Sequence, residues 1–319
     1  MKERRLALFS GTANLPIAEE IAQRLDTPLG DITIHRFANS EVYVRYLESL
    51  RGAEVFIIQS LSAPVDDALM ELLVMIDAAK RASAARITVV IPHYAYARQD
   101  KKSAAREPIT AKLVADLLTV AGTDSVITMD LHNGSIQGFF DVPVNHLTAL
   151  SDLAEYFKSL DLKKRVVVSP DVGRAKASKK LSELMGCHLA IMHKVRPAHN
   201  KAEVANVIGN VEGKHCIVVD DMIDTGGTIC KGAAELMKKG AAGVWLGATH
   251  GIFSDPAFER IKEAQIEGCV VTNTVAIDEA KAKDAGITVL SVAPLFANAI
   301  MNVHMNKSVS DLFDPEFQL

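Results

Sequence analysis

Short apolar runs recur along this chain, separated by longer stretches of helical spacing, and that alternation is what most narrows the folds open to it. In the first half, residues 6–9, 55–59, 87–91 and 126–129 read as buried strands, and residues 14–25, 66–84 and 109–121 read as helices. Pro64 and Pro108 sit where two of those helices should begin. The second half repeats the plan. Strands are expected at 166–169, 189–192, 216–219, 244–248 and 270–272, with helices near 149–159, 174–185, 228–239 and 256–264. Such alternation predicts an α/β protein with mainly parallel sheets covered by helices on both faces. The 319 residues suffice for about two domains of ordinary size. We therefore expect two similar α/β domains, 1–146 and 147–319, split near residues 145–148, with the last helix and tail returning to the first domain.

A net charge of -4 argues against non-specific binding to nucleic acid or to an anionic membrane, both of which need a basic face. No apolar stretch reaches the roughly 18 residues of a membrane span, and the first residues lack the apolar run of a signal peptide. A cytoplasmic location is the expectation. Cys187, Cys216, Cys230 and Cys269 lack CxxC spacing and sit in apolar or helical contexts, which predicts reduced core thiols rather than disulfides or zinc ligands.

The segment CIVVDDMIDTGGT, residues 216–228, is the richest in chemistry. An apolar strand runs into Asp220, Asp221 and Asp224, then Thr225, Gly226, Gly227 and Thr228 lead into a helix. Freed backbone N–H groups and two threonine hydroxyls at a helix N-terminus suit a phosphate. The acids would repel that phosphate unless they hold hydroxyl donors or a magnesium shell. A ribose 5-phosphate meets both demands, with its phosphate on the turn and its 2- and 3-hydroxyls on Asp220 and Asp221. The segment looks like the phosphoribosyl-binding motif that phosphoribosyltransferases share with ribose-phosphate pyrophosphokinases.

Other segments narrow the choice. YARQDKKSAAREPIT places Arg98, Lys101, Lys102 and Arg106 within nine residues after a strand. In open α/β sheets ligands bind beyond the carboxyl ends of strands, so this loop is suited to a polyphosphate. DLHNGSIQGFF offers His132 after the next strand, and SPDVG offers Asp171 as a helix N-cap or a metal ligand. A strand-end histidine and a strand-end aspartate from two domains could share a magnesium ion. HKVRP brings Lys194 and Arg196 at strand spacing, read either as an exposed hairpin or as cations for a transferring phosphoryl group. RFANSEVYV holds Phe37, Asn39 and Glu41 around a turn, where Phe37 reads as core or as a stacking surface for adenine. Neither GxxxxGK[ST] nor GxGxxG occurs, so an ATP site here is neither a Walker cradle nor a Rossmann crevice.

These motifs, with the terminal SVSDLF, occur in this order across nearly the whole chain, which resembles the ribose-phosphate pyrophosphokinase family. Simple phosphoribosyltransferases carry only the DDMIDTGGT segment. The resemblance implies ATP and ribose 5-phosphate as substrates, Mg2+ as cofactor, and diphosphoryl transfer that releases AMP. By the same resemblance, Asp220, Asp221 and Asp224 to Thr228 bind ribose 5-phosphate, and Arg98, Gln99 and His132 contact ATP. Phe37, Asn39 and Glu41 reach it from a neighbouring subunit of a homo-oligomer, usually a hexamer. His132 with Asp171 serves magnesium, and Lys194 and Arg196 are the catalytic cations, Arg196 also touching the ribose 5-phosphate. Ser49, Arg51, Ser83, Arg86, Ser308 and Ser310 match positions of the family's phosphate and ADP regulatory site, and read equally as surface residues. Departures from the pattern are Arg174 where a second glycine is usual, Lys176 nearby, Asn145 for an aspartate and Val195 for a charged residue. A non-catalytic regulatory paralogue and a phosphoribosyltransferase are the competing readings.

Overall fold

Strands and helices alternate as the apolar spacing requires, and each half of the chain builds its own sheet. A computed structural model describes residues 4–195 and 204–312, with the side chains of residues 194, 195, 204 and 205 left outside that description. In chain order the elements are β1 (Leu6–Ser10), α1 (Leu15–Arg24), β2 (Ile32–Arg36), β3 (Val42–Tyr46), β4 (Glu54–Ile58), α2 (Val65–Arg81), β5 (Arg86–Ile91), α3 (Thr110–Ala121), β6 (Ser125–Met129) and β7 (Val144–Leu147). They continue with α4 (Leu150–Ser159), β8 (Arg165–Ser169), α5 (Ala175–Leu184), β9 (His188–Val195), β10 (Val204–Ile208), β11 (His215–Ile223), α6 (Gly227–Lys238), β12 (Gly243–Gly251), α7 (Ala257–Glu263), β13 (Gly268–Thr272), α8 (Glu279–Asp284), β14 (Ile287–Leu290) and α9 (Ala293–His304).

The chain divides into two units. The first comprises residues 1–148, 274–276 and 291–319, and the second residues 149–273 and 277–290. In the first unit five strands run parallel in the order β1-β4-β5-β6-β7, and β2 and β3 form a separate antiparallel hairpin. Phe9, Val55, Ile57, Val89 and Ile91 bury one face of the sheet against Leu72, Met75 and Ile76 of α2 and Val114 and Leu118 of α3. The last helix, α9, packs on α1 and β6 of this unit. Ser291 Oγ is 2.7 Å from the Glu20 carboxylate, and His304 Nδ1 is 2.8 Å from Oε2 of Glu54, so both ends of α9 are fastened.

The second unit holds a seven-stranded sheet in the order β10-β9-β8-β11-β12-β13-β14, parallel except for β10, which runs antiparallel to β9. The central strands are apolar on both faces. Val166, Val168, Cys216 and Val218 pack toward Ile229, Ala233 and Leu236 of α6, while Val167, Ile217 and Val219 pack toward Leu153 and Phe157 of α4 and Leu181 of α5. That two-sided burial is why these strands read as continuous apolar runs. All four cysteines are free thiols. Burial raises each thiol's pKa, Cys216 to about 11, which keeps them protonated and unreactive. Among the described residues no helix is long and apolar enough to cross a membrane.

Candidate active site

The acid-rich segment of the second unit is more ordered than its composition suggests. β11 runs nine residues, past the apolar stretch and through Asp220 to Ile223. The apolar run alone predicts a strand that stops at Val219 with Asp220 and Asp221 beyond it; instead both acids lie within the strand. The reason is the partner strand: β12 pairs with β11 from His215 opposite Gly243 to Ile223 opposite Gly251, so backbone hydrogen bonding carries the strand through the acids. Asp220 is half-buried and Asp221 is buried. The Asp221 N–H donates to Oδ1 of Asp220 at 2.8 Å, which fixes the first carboxylate against its own backbone.

After Asp224 and Thr225 the chain turns at Gly226, whose φ of 71° lies in the left-handed region that a side chain disfavours. Gly226 is the N-cap of α6, and no side-chain oxygen caps that helix. Its first N–H groups and the positive end of its dipole therefore face the turn without a side-chain partner, an arrangement that suits an anion. The arrangement sets the acid pair of β11 a few residues before the uncapped start of α6.

Arg174 closes this site from one side. Its Nε lies 3.3 Å from Oδ1 of Asp220 and 4.0 Å from Oδ1 of Asp221. Arg174, not Asp171, is the N-cap of α5, so the N-cap reading of Asp171 is corrected. Asp171 instead accepts the Arg174 N–H on Oδ1 at 3.0 Å, and Ser169 Oγ donates to the Asp171 carbonyl at 2.7 Å. Asp171 is exposed. Burial, and then the adjoining Asp221 carboxylate, push the Asp220 pKa up to about 7, with Arg174 pulling it the other way. Lys194 lies in β9 opposite Ala205 of β10, which makes the HKV segment the strand of a hairpin. Arg196 falls outside the described residues.

In the first unit, the loop after β5 and the segment after β6 meet at one end of the sheet, because β5 and β6 are parallel neighbours. Asn133 Nδ2 donates to Oδ2 of Asp100 at 3.0 Å and ties the two together. This brings the stretch with Arg98 and Gln99 alongside the stretch with His132. Gln99 accepts from the Thr110 hydroxyl, and its carbonyl receives the Ala111 N–H at 3.3 Å, so it anchors the start of α3. Arg98, Lys101, Lys102 and Arg106 are exposed, while His132 is half-buried. Tyr96 and Arg106 both take positive φ, 60° and 67°, and the Tyr96 hydroxyl bonds Asp66 at the start of α2.

The reading of Phe37 as core is corrected. Phe37 sits at the tip of the β2–β3 hairpin, 50% exposed, with Asn39 and Glu41 also exposed. His35 and Tyr43 of the same hairpin flank its ring edge-on, at 5.3 and 5.7 Å. The Phe37 N–H donates to the Glu41 carbonyl, and Asn39 Oδ1 accepts the Glu41 N–H, so the three residues form one tight turn. Arg36 pairs with Asp67 at 3.3 Å, beside the Asp66 that holds Tyr96.

Ser49, Arg51, Ser83 and Arg86 lie at the other end of this sheet, where β4 and β5 begin. The Gly52 N–H donates to the Ser83 carbonyl at 3.0 Å and joins their two turns. Arg86 is engaged internally, 3.4 Å from the buried carboxylate of Glu54. Asn302 Nδ2 donates to the Ser308 carbonyl at 2.8 Å; Ser310 begins the short helical turn Ser310–Leu312. Two residues of the second unit's site escape a motif reading: Arg174, visible only as a departure, and Arg260, whose Nη1 donates to the Thr225 carbonyl at 2.9 Å. A lone arginine in an amphipathic helix carries no spacing signal.

Comparison with known proteins places the chain in a family. The family model for the N-terminal domain of ribose phosphate pyrophosphokinase matches residues 6–122, and that for the phosphoribosyl synthetase-associated domain matches residues 192–314. Ribose-phosphate pyrophosphokinase from Fusobacterium nucleatum is 51% identical over 96% of this chain and 98% of its own length. The Bacillus caldolyticus protein of the same name is 50% identical over 98% and 99%. The crystal structure of phosphoribosylpyrophosphate synthetase from Mycobacterium smegmatis superposes with a TM-score of 0.90 at 47% identity, covering 95% of this chain and all of that one. On its sequence, its two parallel-sheet units and these relatives, the chain belongs to the ribose-phosphate pyrophosphokinase family.

Proposed function

We propose that this protein transfers the β,γ-diphosphoryl group of MgATP to the 1-hydroxyl of ribose 5-phosphate, giving phosphoribosyl diphosphate and AMP. The observation that carries this reading is the run from β11 into α6, an acid pair followed by the Gly226–Gly227 helix start. Ribose 5-phosphate places its phosphate on the turn from Asp224 to Thr228 and its 2- and 3-hydroxyls on Asp220 and Asp221. The 1-hydroxyl oxygen then attacks the β-phosphorus in line, the bond from that phosphorus to the α,β-bridging oxygen breaks, and AMP leaves with the bridging electrons. The hydroxyl proton passes to solvent. Transfers of this kind rest on positioning and charge neutralisation rather than on covalent chemistry by the protein. Arg98, Gln99 and His132 hold ATP, and Lys194, Arg196 and Arg98 neutralise the β-phosphoryl oxygens.

Among the described residues no three His, Cys, Asp or Glu side chains are gathered to hold a metal ion. Magnesium delivered with a nucleotide needs no such cage, since it keeps its waters and takes one or two protein ligands beside the phosphates. His132 and Asp171 are the ligands proposed for it. When bound, magnesium neutralises charge on the phosphate oxygens.

The reading includes a homohexamer in which Phe37, Asn39 and Glu41 serve the ATP site of a neighbouring copy. The exposure of Phe37 supports it, since an aromatic ring at a hairpin tip is a stacking surface only for something outside its own unit. A row of exposed apolar side chains on α3, Leu113, Leu117 and Val120, supports burial against another copy. Changing Leu117 and Val120 together to lysine should break the oligomer into smaller species, because burying each contributes roughly 1.5–3 kcal/mol. Sedimentation velocity reads the result, and an unchanged mass would place the interface elsewhere. Ser49, Arg51, Ser83, Arg86, Ser308 and Ser310 are proposed for control by phosphate and ADP. The four free thiols support a reducing, cytoplasmic setting.

The test is to incubate the protein with ribose 5-phosphate and MgATP and follow AMP and phosphoribosyl diphosphate together. Equal formation of both is the expected outcome. Appearance of ADP would mean ordinary kinase chemistry, and ribose 5-phosphate bound without turnover would favour a regulatory paralogue.

A further inference from the structure

The phosphate turn is held from behind by a residue outside every recognised motif. Arg260 lies in α7, and its Nη1 donates to the carbonyl of Thr225 at 2.9 Å. The same nitrogen stands 3.3 Å from where a β-carbon on Gly227 would be, so the guanidinium rests against the backbone of the Gly226–Gly227 pair. A β-carbon on Gly226 would lie 3.7 Å from the backbone of Ala257 and 3.8 Å from Cβ of Arg260, which puts the first turns of α7 directly under the loop. On the other side, the thiol of Cys230 in α6 faces the Arg260 carbonyl at 3.7 Å.

This contact decides where the turn's donors point. A trans peptide is planar, with its C=O and N–H on opposite sides. When Arg260 holds the Thr225 carbonyl toward α7, the N–H of Gly226, in the same peptide plane, must point away from α7. Glycine at 226 makes that orientation accessible, but glycine also leaves the peptide free to rotate. A charged donor on the carbonyl removes that freedom.

We infer that Arg260 is a positioning residue for ribose 5-phosphate, fixing the Thr225–Gly226 peptide so that the Gly226 N–H is delivered to the phosphate. It acts through the backbone and not by touching substrate. The inference rests on the function proposed above and names the residue that shapes its phosphate cradle.

The test uses the full-length protein with Arg260→Met, Arg260→Gln and Arg260→Lys, and measures KM for ribose 5-phosphate, KM for ATP and kcat. Loss of a charged hydrogen bond of this kind should raise the ribose 5-phosphate KM of the methionine variant roughly tenfold to a hundredfold. The ATP KM and the kcat at saturation should stay within about threefold. Lysine, which can still donate to the Thr225 carbonyl, should restore most of the affinity, and glutamine part of it. If the methionine variant does not fold, the lysine and glutamine variants carry the comparison, with lysine expected to bind more tightly than glutamine. An unchanged ribose 5-phosphate KM in a folded methionine or glutamine variant overturns the inference, and so does an equal rise in both KM values. A wild-type protein that forms no AMP would instead sink the catalytic reading, so the two failures are separable.

Discussion

Lys194→Ala should lower kcat by roughly a hundredfold to a thousandfold while the KM for ribose 5-phosphate moves by less than about threefold. The proposed role of this lysine is to meet negative charge that builds on the β-phosphoryl oxygens only as the bond to the α,β-bridging oxygen breaks. A contact made chiefly in the transition state lowers kcat and kcat/KM together and leaves ground-state binding nearly alone. The backbone around Lys194 is set by the ladder between β9 and β10, where it stands opposite Ala205, so truncation of the side chain leaves that pairing in place. Steady-state kinetics with both substrates varied are the check. A variant that loses affinity for ribose 5-phosphate but keeps its turnover would mean that Lys194 binds substrate and does not assist transfer.

The second large effect concerns Asp220 and pH. Its carboxyl is raised from 3.8 to about 7 by burial and by Asp221, so the ionised form proposed to accept ribose hydroxyls becomes dominant only above neutrality. The KM for ribose 5-phosphate should therefore fall as pH rises from about 6 to about 8. Asp220→Asn should raise that KM by roughly tenfold to a hundredfold, as expected for losing a charged acceptor, and should flatten its dependence on pH. The substrate's own phosphate also ionises near pH ~6, so the difference between wild type and variant isolates the aspartate. The same titration acts on stability. A carboxyl raised in the folded state binds more protons there than in the unfolded chain, so its contribution to stability declines as pH rises from about 4 to about 7. Asp220→Asn should lose that decline in thermal melts. Arg174→Gly, which removes the counter-ion at 3.3 Å, should shift the acid limb of the KM profile to higher pH. A profile unmoved in both variants would show that another group governs the limb.

The buried strands are legible in the sequence because both faces of β4, β5, β6, β8 and the first half of β11 are covered, which makes each a mostly apolar run. Apart from β1, strands at the sheet edges are not. β7, β10 and β14 are four or five residues long and lie at the ends of their sheets, and polar residues such as Asn145, His146, Asn206 and Thr288 interrupt their short runs. The β2–β3 hairpin does alternate, in ITIHR and VYVRY, but each run is short and only half-covered, so the turn between them is the stronger signal. Within the site, the turn, its glycines and its acids can be read locally, because strand, turn and helix are contiguous in sequence. Arg174 and Arg260 cannot, since each meets the motif from a helix far from it along the chain, Arg260 across 35 residues. Partners that far apart are set by how helices pack on a sheet, and no spacing rule encodes that.

The path of the chain has a consequence for how the protein is made. Residues 274–276 and 291–319 belong to the first unit, and a hydrogen bond from Ser60 Oγ to the Thr274 carbonyl, at 2.7 Å, links the early and late segments. Domains usually fold in the order in which they leave the ribosome. Here the opening 148 residues emerge before the second unit, yet α9, which packs on α1 and pairs His304 with Glu54, is translated only after it. The second unit is thus fully synthesised while the first still lacks its closing helix. A nascent chain arrested before residue 291 would carry a finished second-unit sheet behind a first unit with the α9-binding surface bare, open to capture by a chaperone until α9 emerges.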